Sequence, residues 1–444
     1  MPTDVILIVA AAVVVFAIVS KRVERSAVTA PMIFAGLGLV LGPLALGISS
    51  LHIEHGFVHV LAELTLILVL FTDAARIDLR LLRKDHDLPV RLLLIGMPLT
   101  VGFGFVLATM LLGELSLGAC AVLAIILAPT DAALGQAVVS SPQVPARIRQ
   151  TLNVESGLND GISLPALLFM LCLAGAAGGA TSEGDGSAGF WLRFAAAQLV
   201  LGPVAGIVLA YAGAKAIQWA SKRDWITPTF ENIAVLALAL LAFSGAELIG
   251  GNGFIAAFCA GLTIGHASRG ICTCLQAFAE EEGQLLNLMV FMVFGAVMVP
   301  MLAGHIDFAM ALYALLSLTV IRMAPVALAL MGQRLRWETV VFVGWFGPRG
   351  LASLLFALLV VEQFELEGAE TVLTVVLLTV LVSIYAHGVT ANPGARWYAR
   401  RAETFTGAAL GPKTVASEDA SGDSSGVPEH AGVSEMPVRL PHRD

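Results

Sequence analysis

The chain has 444 residues, of which 57% are hydrophobic and only 13% charged, and its mean hydropathy is +0.86. A soluble domain carries about 25% charged residues, so the composition excludes an ordinary soluble fold and points to a polytopic protein of the lipid bilayer. The formal net charge of −8 includes 25 basic residues with no dense run among them, which excludes a nucleic-acid surface.

Hydropathy predicts an all-α membrane protein with thirteen transmembrane helices. They lie near residues 4–20, 28–48, 58–75, 92–112, 116–140, 152–176, 190–218, 229–248, 252–268, 284–303, 307–331, 338–361 and 370–391, the third and ninth being the shortest or most glycine-broken. The first run lacks a basic leader and a small-residue cleavage site, so it reads as a retained span. With the N-terminus outside, the inward loops hold the clusters Lys21–Arg25, Arg76–Arg91, Arg147 with Arg149, Lys215–Arg223, Arg269, Arg334 with Arg336, and Arg396–Arg401. Only Arg193 then falls on the outer side. This alternation predicts a cell-membrane (inner-membrane) protein with its C-terminus in the cytoplasm. Cys120, Cys172 and Cys259 read as core residues, and Cys272-Thr273-Cys274 lacks the second ligand pair that a zinc site needs. Residues 403–444 are rich in Ser, Gly, Asp and Glu without apolar period and read as a disordered tail.

Two spans carry breaks. The fifth contains Ala128-Pro129-Thr130-Asp131, and the twelfth contains Gly344-Trp345-Phe346-Gly347-Pro348-Arg349-Gly350. Proline removes a backbone donor and glycine tolerates unwinding. Spans five and twelve cross in opposite directions, and such a pair points to an inverted-repeat transporter with its site at the midplane. The alternative is a simple proline kink in each.

The sixth span holds Val154-Glu155-Ser156-Gly157-Leu158-Asn159-Asp160. Glu155 with Asn159, and Ser156 with Asp160, are four residues apart and share one broad helix face. Ionisable groups at membrane depth are costly and by default functional. Asp160 lies about 12 Å, Asp131 and Arg322 about 14 Å, and Arg349 about 18 Å from the ends of their spans, so with Glu155 these charges can meet at mid-membrane. Three acids face two bases. Two ion pairs would leave one carboxylate uncovered, and that carboxylate must take a mobile cation or a proton. His266, His305 and His387 lie at predicted span ends and read as interfacial or packing residues. Glu63, Asp73, Glu231 and Glu247 read as solvated ends.

These motifs resemble those of the monovalent cation:proton antiporters of type 1, the sodium/proton exchangers. The family's Gly-Glu-Ser-Leu-Leu-Asn-Asp run stands here as residues 154–160. Its Thr-Asp-Pro stands as Thr130-Asp131-Ala132, its eleventh-span Arg as Arg322, and its Gly-Leu-Arg-Gly as Gly347–Gly350, with weaker echoes at 70–73 and 260–265. The resemblance covers about residues 5–395. It implies that Asp160 alternately holds sodium and a proton, with Thr130 and Ser156 as further sodium ligands. Asp131 assists, Glu155 pairs with Arg322 and touches the ion, and Asn159 and Arg349 support the crossed helices. It implies a homodimer with scaffold helices in 1–91 and 190–303, and a moving core in 92–176 and 307–395. No cofactor is expected. One titrating acid beside an uncharged Asn159 predicts electroneutral exchange of one sodium for one proton. The alternatives are a potassium/proton antiporter or a sodium-coupled symporter of the same architecture. A membrane-embedded enzyme is remote, for neither a Ser–His pair nor HExxH is present.

Overall fold

The structure is a computed structural model that describes residues 3–23, 26–44, 55–76, 87–131, 134–139, 141–178, 188–267, 285, 287–364 and 366–409. The chain divides into two units, Met1–Ala402 and Glu403–Asp444. Cys272, Cys274 and residues 410–444 of the predicted tail lie outside the described residues, whereas 403–409, read from the sequence as disordered, are helical.

Among the described residues the first unit is helical with no strand. In chain order the elements are α1 (Thr3–Val23), α2 (Ala30–Leu41), α3 (His55–Arg76), α4 (Asp87–Leu111), α5 (Leu117–Ile126), α6 (Gln136–Val139), α7 (Ala146–Gly178), α8 (Ala188–Lys222), α9 (Pro228–Leu248) and α10 (Gly253–Ala267). Then come α11 (Asn287–Leu302), α12 (Phe308–Ala329), α13 (Trp337–Trp345), α14 (Leu351–Gln363) and α15 (Ala369–Ala409). Each predicted stretch falls on one or two of these helices. Among the described residues five helices are long and apolar enough to cross a membrane, running over 87–111, 196–222, 228–248, 308–329 and 369–401.

Local signals explain many of the ends. The Ser116 hydroxyl accepts from the Ala119 amide at the start of α5, and the Asp307 carboxylate accepts from Met310 N–H at the start of α12. Both satisfy amides that a helix start leaves unpaired. Glu247, read from the sequence as a solvated end, is exposed near the end of α9 and also accepts from the Gly253 amide at 2.7 Å, covering the start of α10. Arg91 donates to the Ala329 and Met331 carbonyls at 3.2 and 2.9 Å. A cation is thus set at the negative end of α12, fixing α4 to it.

α10 packs along α3, α8 and α9, and α2 packs on the π-helical turn Phe294–Met298 within α11. α4, α5 and α12 form a second set of contacts, with α13 on α12. α7 touches both sets, lying against α4 and α5 on one side and α3, α8 and α10 on the other. Apolar burial gives little drive between helices in lipid, so close van der Waals approach through small residues takes its place. A Cβ at Gly261 would lie 2.1 Å from the Phe71 carbonyl oxygen, and one at Gly265 would lie 2.3 Å from that of Ala75. α3 and α10 therefore meet backbone to backbone.

Gly261→Ala is expected to force α3 and α10 apart, at a cost of about 1–3 kcal/mol. In detergent its melting temperature should fall by several degrees. Gly102→Ala, whose Cβ meets nothing within 4 Å, should melt like the parent.

Candidate functional site at the crossing of two broken helices

α5 stops at Ile126 because Pro129 has no amide to offer and pushes the residue before it out of the helical region. The carbonyls freed at this stop are taken up from across the bundle. Ile126 O accepts from the Ser353 hydroxyl at 2.8 Å, and Ala128 O and Pro129 O both accept from Arg349 Nη1 at 2.9 Å. The twelfth span is interrupted between α13 and α14 at residues 346–350, and its orphans are met reciprocally. The Leu351 amide, at the start of α14, donates to Asp131 Oδ2 at 2.7 Å, and the Asp131 amide donates to the Pro348 carbonyl at 2.9 Å. Each break completes the other. Although no proline follows the Asp, Thr130 and Asp131 are non-helical behind Pro129.

Two glycines permit this contact. A Cβ at Gly350 would lie 1.9 Å from Asp131 Oδ2, and one at Gly347 would lie 2.5 Å from Arg322 Nε.

The charges are therefore distributed otherwise than residue counting predicts. Arg322 Nη1 meets Glu155 Oε1 at 2.6 Å, and both side chains are nearly fully buried. This pair was expected. The second ion pair is not formed: Arg349, wholly buried, has no carboxylate partner among the described residues and instead caps the carbonyl end of α5. Asp131 caps the amide end of α14. A carboxylate at a helix start and a guanidinium at a helix end are each stabilised by the half-helix dipole, which carries roughly half a charge at each terminus. For Asp131 and Arg349 the orienting partner is thus a helix end, and for Glu155 and Arg322 it is the opposite charge.

Asp160 has neither kind of partner. It is 7% exposed, and its Oδ1 receives no hydrogen bond from the described residues. One turn back on α7 is Ser156, whose hydroxyl is 2.9 Å from that of Thr130 in the α5 break, and Asn159 Nδ2 donates to Thr130 Oγ1 at 2.8 Å. Ser156, Asn159 and Thr130 are all buried. Asp160, Ser156 and Thr130 thus all offer hard oxygen donors, a chemistry suited to a hard cation and not to a soft metal. Among the described residues no group of three or more His, Cys, Asp or Glu side chains gathers to hold a metal ion.

Sequence reasoning missed three features. Asp73 of α3 was read as a solvated end, yet it is one of two carboxylates, with Asp131, whose charge acts on Asp160. The echo Leu70–Asp73 was its one signal. His387 was read as a span-end residue, but it is 1% exposed and bonded to the α13–α14 break. Arg349 was treated as a counter-ion because counting charges takes no account of carbonyl ends.

Removing one member of the buried Glu155–Arg322 pair leaves an uncompensated charge, which costs about 3–5 kcal/mol. Glu155→Gln and Arg322→Met are each expected to lower the melting temperature strongly. The double variant Glu155→Leu/Arg322→Met should recover most of the loss.

Residues 8–397 match the family described as sodium/hydrogen exchanger, transmembrane. Among similar proteins, Na(+)/H(+) antiporter 2 of Zygosaccharomyces rouxii is 27% identical over 57% of this chain and 31% of its own length. Na(+)/H(+) antiporter NhaS2 of Synechocystis is 26% identical over 60% of this chain and 48% of its own. K(+)/H(+) antiporter NhaP2 of a Shewanella strain is 23% identical over 82% of this chain and 62% of its own. The chain thus spans about a third of the length of the yeast relative and about half that of the cyanobacterial one. The fold is similar to that of the sodium proton antiporter MjNhaP1 from Methanocaldococcus jannaschii, with a TM-score of 0.69 at 21% identity over 88% of this chain and 96% of that one. The match to the family over most of its length, on a fold of crossed broken helices, places this chain in the sodium/hydrogen exchanger family of multi-pass membrane transporters.

Proposed function

We propose that the protein is a secondary antiporter that exchanges sodium for protons across the cell membrane, with Asp160 as the group both cargoes share. The observation that carries this reading is the lone acceptor atom Oδ1 of Asp160, buried one helical turn from the Thr130–Ser156 hydroxyl pair. A bare carboxylate in a low-dielectric interior is costly, so either a proton or a metal ion covers it. Sodium draws its remaining ligands from Thr130 and Ser156, with Asp131 and Glu155 near the same crossing. A proton needs none of them. Asn159 holds Thr130 in place and carries no charge, and Arg322 and Arg349 stay ionised on Glu155 and on the α5 carbonyls. Only Asp160 changes its charge, so one sodium exchanges for one proton and no net charge moves.

Alternating access follows from the same constraint. A core of residues 92–176 and 307–395 carries the site past a scaffold of residues 1–91 and 190–303, and it moves only when the site is neutral. Two copies joined through their scaffolds form the working unit, with the N-termini outside and the C-termini in the cytoplasm. No cofactor takes part, and no enzymatic step is assigned. A second reading, potassium in place of sodium, is favoured by the Shewanella relative's being named a K(+)/H(+) antiporter.

The test is proton movement in vesicles reconstituted with the full chain, followed with a trapped pH dye. Sodium addition is expected to drive proton flux, with the half-saturating sodium level rising as pH falls, because protons occupy Asp160 as acidity increases. Flux driven by potassium and not by sodium would assign the second reading. A half-saturating level flat across neutral pH would end the shared-site mechanism. Asp160→Asn is expected to abolish flux while eluting and melting like the parent, and an imposed membrane potential is expected to leave the flux unchanged.

A further inference from the structure

His387 lies on α15, which contributes no residue to the ion site described above. Its side chain is 1% exposed. Nε2 lies 2.9 Å from the Trp345 carbonyl oxygen, and Nδ1 lies 3.2 Å from the Ser383 hydroxyl and 3.1 Å from the Ser383 carbonyl. The indole of Trp345 stacks on the ring at 5.0 Å between centroids, tilted by 31°. Ser383 is itself fully buried, and its hydroxyl accepts from the Arg349 amide at 2.8 Å.

A carbonyl is only an acceptor, so the Nε2 facing Trp345 carries a hydrogen. Nδ1 faces two partners: the Ser383 hydroxyl, which accepts from the Arg349 amide and can donate to an Nδ1 lone pair, and the Ser383 carbonyl, which can only accept. In either arrangement a hydrogen-bonded chain runs from Arg349 N–H through Ser383 and His387 to Trp345 O. Its two ends bracket the α13–α14 break: Trp345 is the last residue of α13, and Arg349 lies two residues before α14 begins.

We propose that His387 is a positioning residue for the cation site, clamping the α13–α14 break from the side opposite Asp131. The route to the site is short. His387 and Ser383 fix the backbone of Arg349, Arg349 holds the Ala128 and Pro129 carbonyls, and the next residue is the ligand Thr130. Loosening the clamp displaces a hydroxyl that a metal ion uses and a proton does not. The effect falls on sodium affinity and leaves the protonated form of Asp160 alone. The inference rests on the exchange reading above for its kinetic readout. A second readout, amide exchange at the break, is independent of it.

In vesicles reconstituted with the full chain, His387→Ala is expected to raise the half-saturating sodium level about five- to tenfold, the worth of one lost buried hydrogen bond. The maximal rate should stay within about twofold. His387→Gln, whose side-chain amide can donate to Trp345 O, is expected to restore the half-saturating level to within about twofold of the parent. Ser383→Ala should act in the same direction as His387→Ala, and the double variant should be no worse than the poorer single, because both cut one chain. By hydrogen–deuterium exchange, peptides covering 346–351 should lose protection in His387→Ala and regain it in His387→Gln. An unchanged half-saturating level in His387→Ala, a loss confined to maximal rate, multiplicative effects in the double variant, or failure of Gln to rescue would overturn the proposal. If the parent drives no cation-dependent proton flux, the exchange reading fails. The amide exchange at 346–351 then decides the clamp by itself, unchanged protection in His387→Ala overturning it.

Discussion

The structure depends on two interrupted helices that complete one another. Each break leaves a helix end with unsatisfied backbone groups in a medium that offers no water, a situation tolerated at membrane depth only where protein takes water's place. Asp131 serves the amide start of α14, and Arg349 and Ser353 serve the carbonyl end of α5. Reciprocal capping is what makes the breaks tolerable in lipid. It also orients Asp131 and Arg349 by helix ends, leaving Arg322 to pair with Glu155, while Oδ1 of Asp160 receives no hydrogen bond from the described residues.

Asn159 links α7 to the α5 break through Thr130, and Ser156 touches the same hydroxyl. Asp160 on α7 and Thr130 at the break, both assigned to the cation in the exchange proposed above, are thereby held in register by a neutral amide. The Glu155–Arg322 bridge, with one member on each helix, ties α7 to α12 at 2.6 Å.

Much of this was legible in the sequence. Composition and loop charge give a helical membrane protein, and proline and glycine mark both breaks. Spacing along the sixth span puts Ser156 and Asp160 on one face. What the sequence left open was direction around each helix. Rise per residue gives depth, so Asp131, Arg322 and Arg349 were placed at one level, but depth does not say whether a guanidinium meets a carboxylate or a carbonyl. Arg349 was misassigned for that reason. His387 was misplaced because α15 continues as a helix well past the predicted end of its span, so a residue that looked terminal is interior. Asp73 was passed over because nothing in α3 alone shows that α7 packs beside it.

Next to Asp160 in the chain is Gly161, and a Cβ there would lie 2.4 Å from the ring of Phe258 on α10. The backbone beside Asp160 thus lies against the ring of Phe258 with no room for a side chain between them. Gly161 does for α7 and α10 what Gly261 and Gly265 do for α3 and α10: it sets how near two helices stand, so even a single methyl group at this position would wedge α7 away from its neighbour right next to Asp160.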